Sequence, residues 1–173
     1  MKIDFRQIII DHFSTLRNDR TGRLSAFDIA LFFALPIALG GAVFWAKITF
    51  DREVYNVSIT FFGIFVALLL NVQVAIFGIF QRKPEPPKDP RLHDTYTARI
   101  VRRRELLSEL NANLSYLTFV CCISLVVFIA LFTFCNTSPI ATGTTVLLYS
   151  HFLFTLMMTV KRTHILFQQE YRA

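Results

Sequence analysis

Two groups of polar side chains in this 173-residue chain could do chemistry, and the first lies within apolar sequence. His151 and Asn71 each interrupt a long hydrophobic run, and Thr155 follows His151 by one helical turn. An unpaired polar group is costly in hydrocarbon, so such residues indicate a functional site. Asn71, His151 and Thr155 are therefore candidates to line a proton or ion pathway. The alternative is a structural network, in which neutral His151 forms a hydrogen bond to Asn71, Ser124 or a threonine.

The second group is a dense arginine cluster in the longest hydrophilic segment, with two glutamates a turn further on. Such a cluster attracts anionic lipid headgroups, or an acidic face of a cytoplasmic protein. No aromatic residues alternate with the arginines and no nucleic-acid-binding fold is recognisable, so we expect no direct nucleic-acid contact. The candidate partner-binding residues are Arg99, Arg102, Arg103 and Arg104.

Motifs for catalysis or cofactor binding are missing from the sequence. It contains no acidic pair within the apolar runs, no glycine-rich nucleotide loop, no H-E-x-x-H and no Cys-His metal spacing. The three cysteines form no metal or redox pattern. We therefore expect a protein that is not an enzyme and that uses no metal or cofactor.

Four long apolar runs must position these polar residues. Hydrophobic residues make up 54% of the chain, more than a soluble domain needs. A helix of about 20 residues crosses the hydrocarbon core of a bilayer, and each run is that long. The sequence predicts an all-α, polytopic membrane protein with a four-helix transmembrane bundle, its spans at 27–46, 57–80, 114–134 and 140–160.

The distribution of basic residues predicts the orientation of the bundle. Of the 18 lysines and arginines, 16 lie before the first span, between the second and third spans, or after the fourth. Cytoplasmic segments carry such an excess, so both termini and segment 81–113 are predicted to be cytoplasmic. The net charge of +6 mostly reflects this bias.

Segment 81–113 connects the second and third spans and has two parts. Its first part contains prolines at 84, 86, 87 and 90 and predicts an extended linker. From Asp94 onward the pattern is helical, without a breaker, so the third helix should extend into the cytoplasm. A heptad seam that includes Leu107, Leu110 and Leu114 predicts either self-association or packing against the tail at 161–173.

Other features concern helix packing. Segment 1–24 contains an amphipathic helix, which should lie at the membrane surface or pack against the cytoplasmic part. In the first span, Pro36 predicts a kink and the Gly40–Gly41 pair permits close helix approach. In the second span a narrow stripe of small residues predicts tight packing and, with Asn71 in it, a homo-oligomer. The stripe consists of Gly63, Ala67, Asn71 and Ala75.

The polar lead L-R-N-D-R-T-G-R-L-S-A-F-D at 16–28, four spans and one long basic cytoplasmic loop resemble the membrane subunit of the Kiwa anti-phage defence system. That resemblance implies a non-enzymatic sensor or scaffold in the bacterial inner membrane. It further implies that the protein oligomerises and holds a cytoplasmic, DNA-binding partner subunit. The alternative, from the residues alone, is a small pore-forming effector or ion channel lined by Asn71 and His151.

Overall fold

The computed structural model describes residues 5–15, 29–81, 89, 91, 93–134 and 138–171, and within them every regular element is helical. The all-α class is therefore confirmed. The lead at 16–28 and most of the proline-rich linker lie outside the described residues. The helices are α1 (Phe5–Thr15), α2 (Leu35–Trp45, preceded by a π-helical turn at Ala30–Ala34), α3 (Arg52–Gln81), α4 (His93–Phe134) and α5 (Pro139–Tyr171).

Three of these helices are long and apolar enough to cross a membrane, which agrees with a membrane-embedded protein. They are Arg52–Gln81, Tyr96–Phe134 and Pro139–Ile165. The first predicted span appears as a shorter apolar helix, Ala30–Trp45. At 1.5 Å per residue its 16 residues cover roughly 24 Å, slightly less than the hydrocarbon core.

The helices pack side by side in the order α2, α5, α4, α3, with α1 lying on α4. Aromatic rings from α3, α4 and α5 form the centre of the core. Phe62, Phe128 and Phe152 are fully buried, and Phe62 lies within ring-contact distance of both of the others. Edge-to-face and offset ring contacts favour fixed orientations, so this cluster sets the relative rotation of three helices.

One side-chain contact shows how far α4 extends beyond α3. Gln73 Nε2 donates to Ser115 Oγ at 2.9 Å between the antiparallel α3 and α4. Eight residues further along, the end of α3 at Gln81 lies level with residue 107 of α4. Residues 93–106 of α4 therefore extend beyond α3. Where the structure describes side chains in that segment, none is buried.

Two glycines let α2 and α5 approach each other closely. A Cβ atom added to Gly40 would lie 2.6 Å from the Gly143 carbonyl oxygen, and one added to Gly143 would lie 2.8 Å from that of Gly40. Both distances are shorter than real Cβ contacts allow, so backbone meets backbone here. The close approach expected from the Gly40–Gly41 pair occurs at Gly40, whereas a Cβ on Gly41 meets nothing within 4 Å.

The glycine contact predicts opposite effects for neighbouring substitutions. Gly40→Ala should lower the free energy of unfolding by about 1 to 3 kcal/mol, because the methyl group forces α2 and α5 apart. Gly41→Ala is the matched control and should be neutral or stabilising by up to about 1 kcal/mol, since alanine favours the helix. Thermal unfolding of the purified protein in detergent measures both. Equal effects of the two substitutions would contradict this packing.

Candidate functional site

The candidate site begins at a backbone carbonyl that a proline leaves without its usual donor. Pro36 carries no N–H, so α2 cannot form the α-helical hydrogen bond from residue 36 to the carbonyl of Phe32. Phe32 lies in the π-helical turn that precedes Pro36. His151 on α5 supplies a donor, because its Nδ1 lies 2.8 Å from the Phe32 oxygen. The disturbance predicted at Pro36 thus creates a binding point for a side chain.

This contact fixes the tautomer of His151. A carbonyl oxygen only accepts hydrogen bonds, so Nδ1 of His151 must carry a hydrogen. In the neutral ring Nε2 is then an acceptor. The Tyr116 hydroxyl on α4 lies 2.9 Å from Nε2 and donates to it. Both ring nitrogens of this buried histidine therefore have partners, as a polar side chain in an apolar interior requires.

A second histidine continues the arrangement on the other side of Tyr116. The His12 ring on α1 stacks on the Tyr116 ring with centroids 3.8 Å apart and an interplanar angle of 2°. Nδ1 of His12 lies 2.9 Å from Asn113 Oδ1, which only accepts, so Nδ1 is the protonated nitrogen. Asn113 Nδ2 donates to the Glu109 carbonyl at 2.9 Å, which fixes the amide orientation.

An ion pair lies at one end of this arrangement, beside the last residue of α1. Arg162 Nη1 on α5 lies 2.9 Å from Glu109 Oε2 on α4. The other terminal nitrogen of Arg162 donates to the carbonyl of Thr15, the last residue of α1. Helix C-termini leave carbonyls without donors, so Arg162 caps α1 while it pairs with α4. We name Phe32, His151, Tyr116, His12 and Asn113, with the Glu109–Arg162 pair, the histidine network.

One nitrogen of the histidine network has no hydrogen bond. His12 is fully buried, and its Nε2 has no partner among the described residues. Burial away from water lowers the pKa of His12 from 6.5 to about 4; the Asn113 hydrogen bond opposes the shift, while nearby His151 and Arg162 add to it. His12 is therefore neutral at pH 7. Protonation would add a positive charge and an N–H at buried Nε2, which has no hydrogen-bond acceptor among the described residues.

The histidine network joins four parts of the fold. It contains a carbonyl from the turn before α2, side chains from α4 and α5, and the buried histidine of α1. Within the described ranges, no group of three His, Cys, Asp or Glu residues could hold a metal ion. The arrangement is suited to coupling the position of α1 to the other helices, since a shift of one member removes hydrogen bonds from buried neighbours.

The candidate pathway residues are divided between the interior and the surface. His151 and Thr155 are buried, and the Thr155 hydroxyl donates to the His151 carbonyl at 2.8 Å. Asn71 is exposed on α3 and forms no side-chain hydrogen bond within the described part of the chain. The expected partners of the His151 side chain, which were Asn71, Ser124 or a threonine, were wrong. The observed partners are the Tyr116 hydroxyl and the Phe32 carbonyl. In this single chain, Asn71 and His151 line no common passage.

The stripe of small residues on α3 faces outward. Ala67, Asn71 and Ala75 are exposed, Gly63 is half-buried, and a Cβ added to Gly63 would meet nothing within 4 Å. The stripe is thus not used for packing against the other described helices. Its predicted role in an oligomer remains a prediction.

The heptad seam on α4 is covered within the same chain. Leu107, Leu110 and Leu114 are buried in the core cluster that also contains Leu69 and Ile76 of α3. The sequence left self-association or packing against the tail at 161–173 open. This cluster contains α3 residues and no residue of that tail, so the seam packs in the core beside α3, and its self-association stays a prediction. The arginine cluster lies just before this seam: Arg99, Arg102 and Arg104 are exposed, and Arg103 is half-buried with interactions of its own.

Sequence reasoning missed most of the histidine network. His12 lies three residues after Ile9, on the apolar side of α1, and Asn113 lies three residues after Leu110 in the heptad seam. A polar residue at an apolar position indicates a buried hydrogen bond, and this signal was present at both. Tyr116 and Arg162 gave no such signal, because tyrosine and arginine are common near a membrane surface.

Comparison with known proteins adds no assignment. No protein-family model matches the chain, and neither a curated protein nor a solved structure is similar to it.

The depressed pKa of His12 predicts that α1 detaches in acid. Detached α1 takes up a proton below pH 6.5, whereas docked α1 resists protonation until about pH 4. Docking is therefore strongest above pH 6.5 and weakens as the pH falls towards 4, by up to about 3 kcal/mol. Hydrogen exchange of the α1 amides, corrected for the intrinsic effect of pH on exchange, should show protection falling roughly a hundredfold.

Two variants make this measurement decisive. His12→Phe preserves a ring on Tyr116 but cannot titrate, so α1 protection should become independent of pH in this range. His164→Phe removes an exposed histidine of α5 and should behave like the wild type. An unchanged pH profile in His12→Phe would show that another group controls α1.

Proposed function

We propose that this protein is a non-enzymatic membrane scaffold or sensor, whose basic cytoplasmic segment holds a soluble partner protein. In this proposal the apolar helix before Lys47 is a fourth span, so α2, α3, α4 and α5 cross the membrane. Both termini and residues 81–113 lie in the cytoplasm. The excess of lysine and arginine in those segments supports this orientation.

The observation that carries the proposal is the continuity of α4. One unbroken helix of 42 residues contains both the arginine cluster and a membrane-spanning segment. Arg99, Arg102 and Arg104 are exposed on the part that extends beyond α3. A helix is stiff over this length, so a protein bound at the arginines would be held in a fixed relation to the membrane segment.

The position of the histidine network supports a sensing role. Asn113 and Tyr116 lie on α4 between the arginine cluster and the centre of the apolar segment. Through them, α4 contacts α1 and α5, and α5 contacts the turn before α2. A change in the membrane that moved α2 or α5 would alter hydrogen bonds to α4 at the base of its extension.

Oligomerisation is part of the proposal, because Asn71 needs a partner. Its amide is exposed within an apolar span, where water cannot satisfy it, and small residues one turn away on either side permit close approach of another helix. A second copy of the chain presents the same stripe and the same amide. The two amides could then pair across a symmetric interface.

The resemblance to the Kiwa membrane subunit provides the biological setting of the proposal. In that setting the chain lies in a bacterial inner membrane, takes part in anti-phage defence and holds a DNA-binding partner subunit. No observation on the described residues favours the alternative of a pore, since Asn71 is exposed on α3 whereas His151 is buried in the interior.

A pair of charge reversals tests the binding segment. Arg99→Glu/Arg102→Glu should reduce retention of the soluble partner at least tenfold, because two attractive contacts become repulsive. The measurement is quantitative mass spectrometry of proteins cross-linked to the tagged membrane protein in its own host. The product of the adjacent gene is the first partner to quantify.

The matched control makes the same change in charge elsewhere. Arg91→Glu/Lys161→Glu also reverses two exposed basic residues, outside the arginine cluster. This variant should retain the partner, and both variants should be inserted in the membrane to the same level. If both pairs release the partner equally, only net charge matters and the proposed surface is wrong.

Moving one amide tests the oligomer. Asn71→Val should weaken self-association about threefold or more, since an interhelical hydrogen bond between polar side chains is lost. Asn71→Val/Val72→Asn keeps the composition of α3 but turns the amide by about 100°, and it should not restore association. Subunit counting by single-molecule photobleaching in lipid vesicles provides the measurement. Wild-type association in the relocated variant would contradict the proposed interface.

A further inference from the structure

A groove of about 610 Å³ runs between the first turns of α3 and the first half of α5. Aliphatic side chains of Val54, Val57, Val146 and Leu153 form much of its wall. Val57 and Leu153 are 58% and 49% exposed, so the groove is open along its side. Because α3 and α5 are both helices that could cross a membrane, this side opens towards lipid.

The hydroxyl groups in the groove wall donate to neighbours within the chain. Thr145 and Ser150 donate to carbonyl oxygens of their own helix, at 2.8 and 2.6 Å. Ser58 donates to the Val54 carbonyl at 2.7 Å and receives the Tyr149 hydroxyl at 3.1 Å. None of these hydroxyls has a free hydrogen for a ligand. The wall therefore behaves as an apolar surface, suited to a hydrocarbon chain.

Two carboxylates lie at the mouth of the groove. Asp51 and Glu53 are exposed lining residues, and neither forms an ion pair with a described residue. The arginine between them points elsewhere: Arg52 Nε donates to the Phe132 carbonyl at 3.1 Å, and its guanidinium lies 4.3 Å from the Phe132 ring centroid. The two charged side chains that line the groove are thus both acidic, although the whole chain is basic.

We infer that this groove is a lipid site selective for phospholipids whose headgroup carries a primary ammonium, such as phosphatidylethanolamine. One acyl chain lies along the aliphatic wall, and the ammonium group contacts Asp51 and Glu53. Carboxylates near a helix N-terminus also stabilise the helix itself. Here, however, they adjoin an apolar groove open to the bilayer. A lipid with an ammonium headgroup can contact the apolar wall with its acyl chain and the carboxylates with its headgroup. The inference needs membrane insertion but not the cytoplasmic partner.

The choice of headgroup follows from charge and hydrogen bonding. A primary ammonium offers three N–H donors to the two carboxylates, whereas a quaternary ammonium offers none. A glycerol headgroup leaves the lipid with a net negative charge, which the mouth repels. The expected order of affinity is therefore ethanolamine, then choline, then glycerol headgroups on identical acyl chains.

Native mass spectrometry of the full-length protein in mild detergent tests this order. Phosphatidylethanolamine should remain bound at least about fivefold more than phosphatidylglycerol, the factor expected from one charge contact near a membrane surface. Asp51→Asn/Glu53→Gln should remove this preference while leaving acyl-chain binding. Equal retention of the two lipids by the wild type, or an unchanged preference in the carboxamide variant, would overturn the inference.

A tryptophan in the groove tests the chain site separately. Val57→Trp should abolish the lipid adduct by filling the groove. Val74→Trp places the same side chain at a 72% exposed position of α3 outside the groove, and it should retain the adduct. Retention in Val57→Trp would overturn the chain site. If both tryptophan variants lose the adduct, the carboxamide variant decides, since its changes lie on exposed residues.

Discussion

A backbone carbonyl in an apolar interior must find a donor, and the carbonyl of Phe32 is the case on which this fold depends. Pro36 removes the usual donor, and His151 provides one from a different helix. That contact fixes the tautomer of His151, so Nε2 accepts a hydrogen bond from the Tyr116 hydroxyl. The Tyr116 ring in turn stacks on the ring of His12 in α1. One missing N–H thus leads to the positions of side chains from three helices.

Two different kinds of contact hold the two sides of the bundle: backbone against backbone on one side and aromatic rings on the other. On one side, Gly40 and Gly143 bring the backbones of α2 and α5 together, and little space remains for side chains. On the other side, large aromatic rings such as Phe62 and Phe128 separate α3, α4 and α5 and fix their rotation. Backbone contact tolerates almost no added volume, whereas ring contacts constrain the relative orientation of the helices that carry them.

The sequence predicted the fold class and the helical extension because these depend on local periodicity and on run length. It predicted that Asn71 and His151 either line one pathway or form a hydrogen bond to each other. Counting along a helix gives depth, but the direction in which a side chain points depends on how the helices are rotated against each other. The stacking of His12 on Tyr116 required that information, so it could not be predicted. The polar residues His12 and Asn113 on apolar faces were the available clue.

The length of α4 has a mechanical consequence. Leu107 is where α4 enters the packed core; Arg99 lies roughly 12 Å from it in one direction and Phe134 roughly 40 Å in the other. A tilt of α4 about this point makes the helix an unequal lever with its long arm in the apolar region. Displacements at Phe134 reach Arg99 about threefold smaller, and the corresponding forces about threefold larger. The short arm of such a lever would therefore transmit force rather than large displacement.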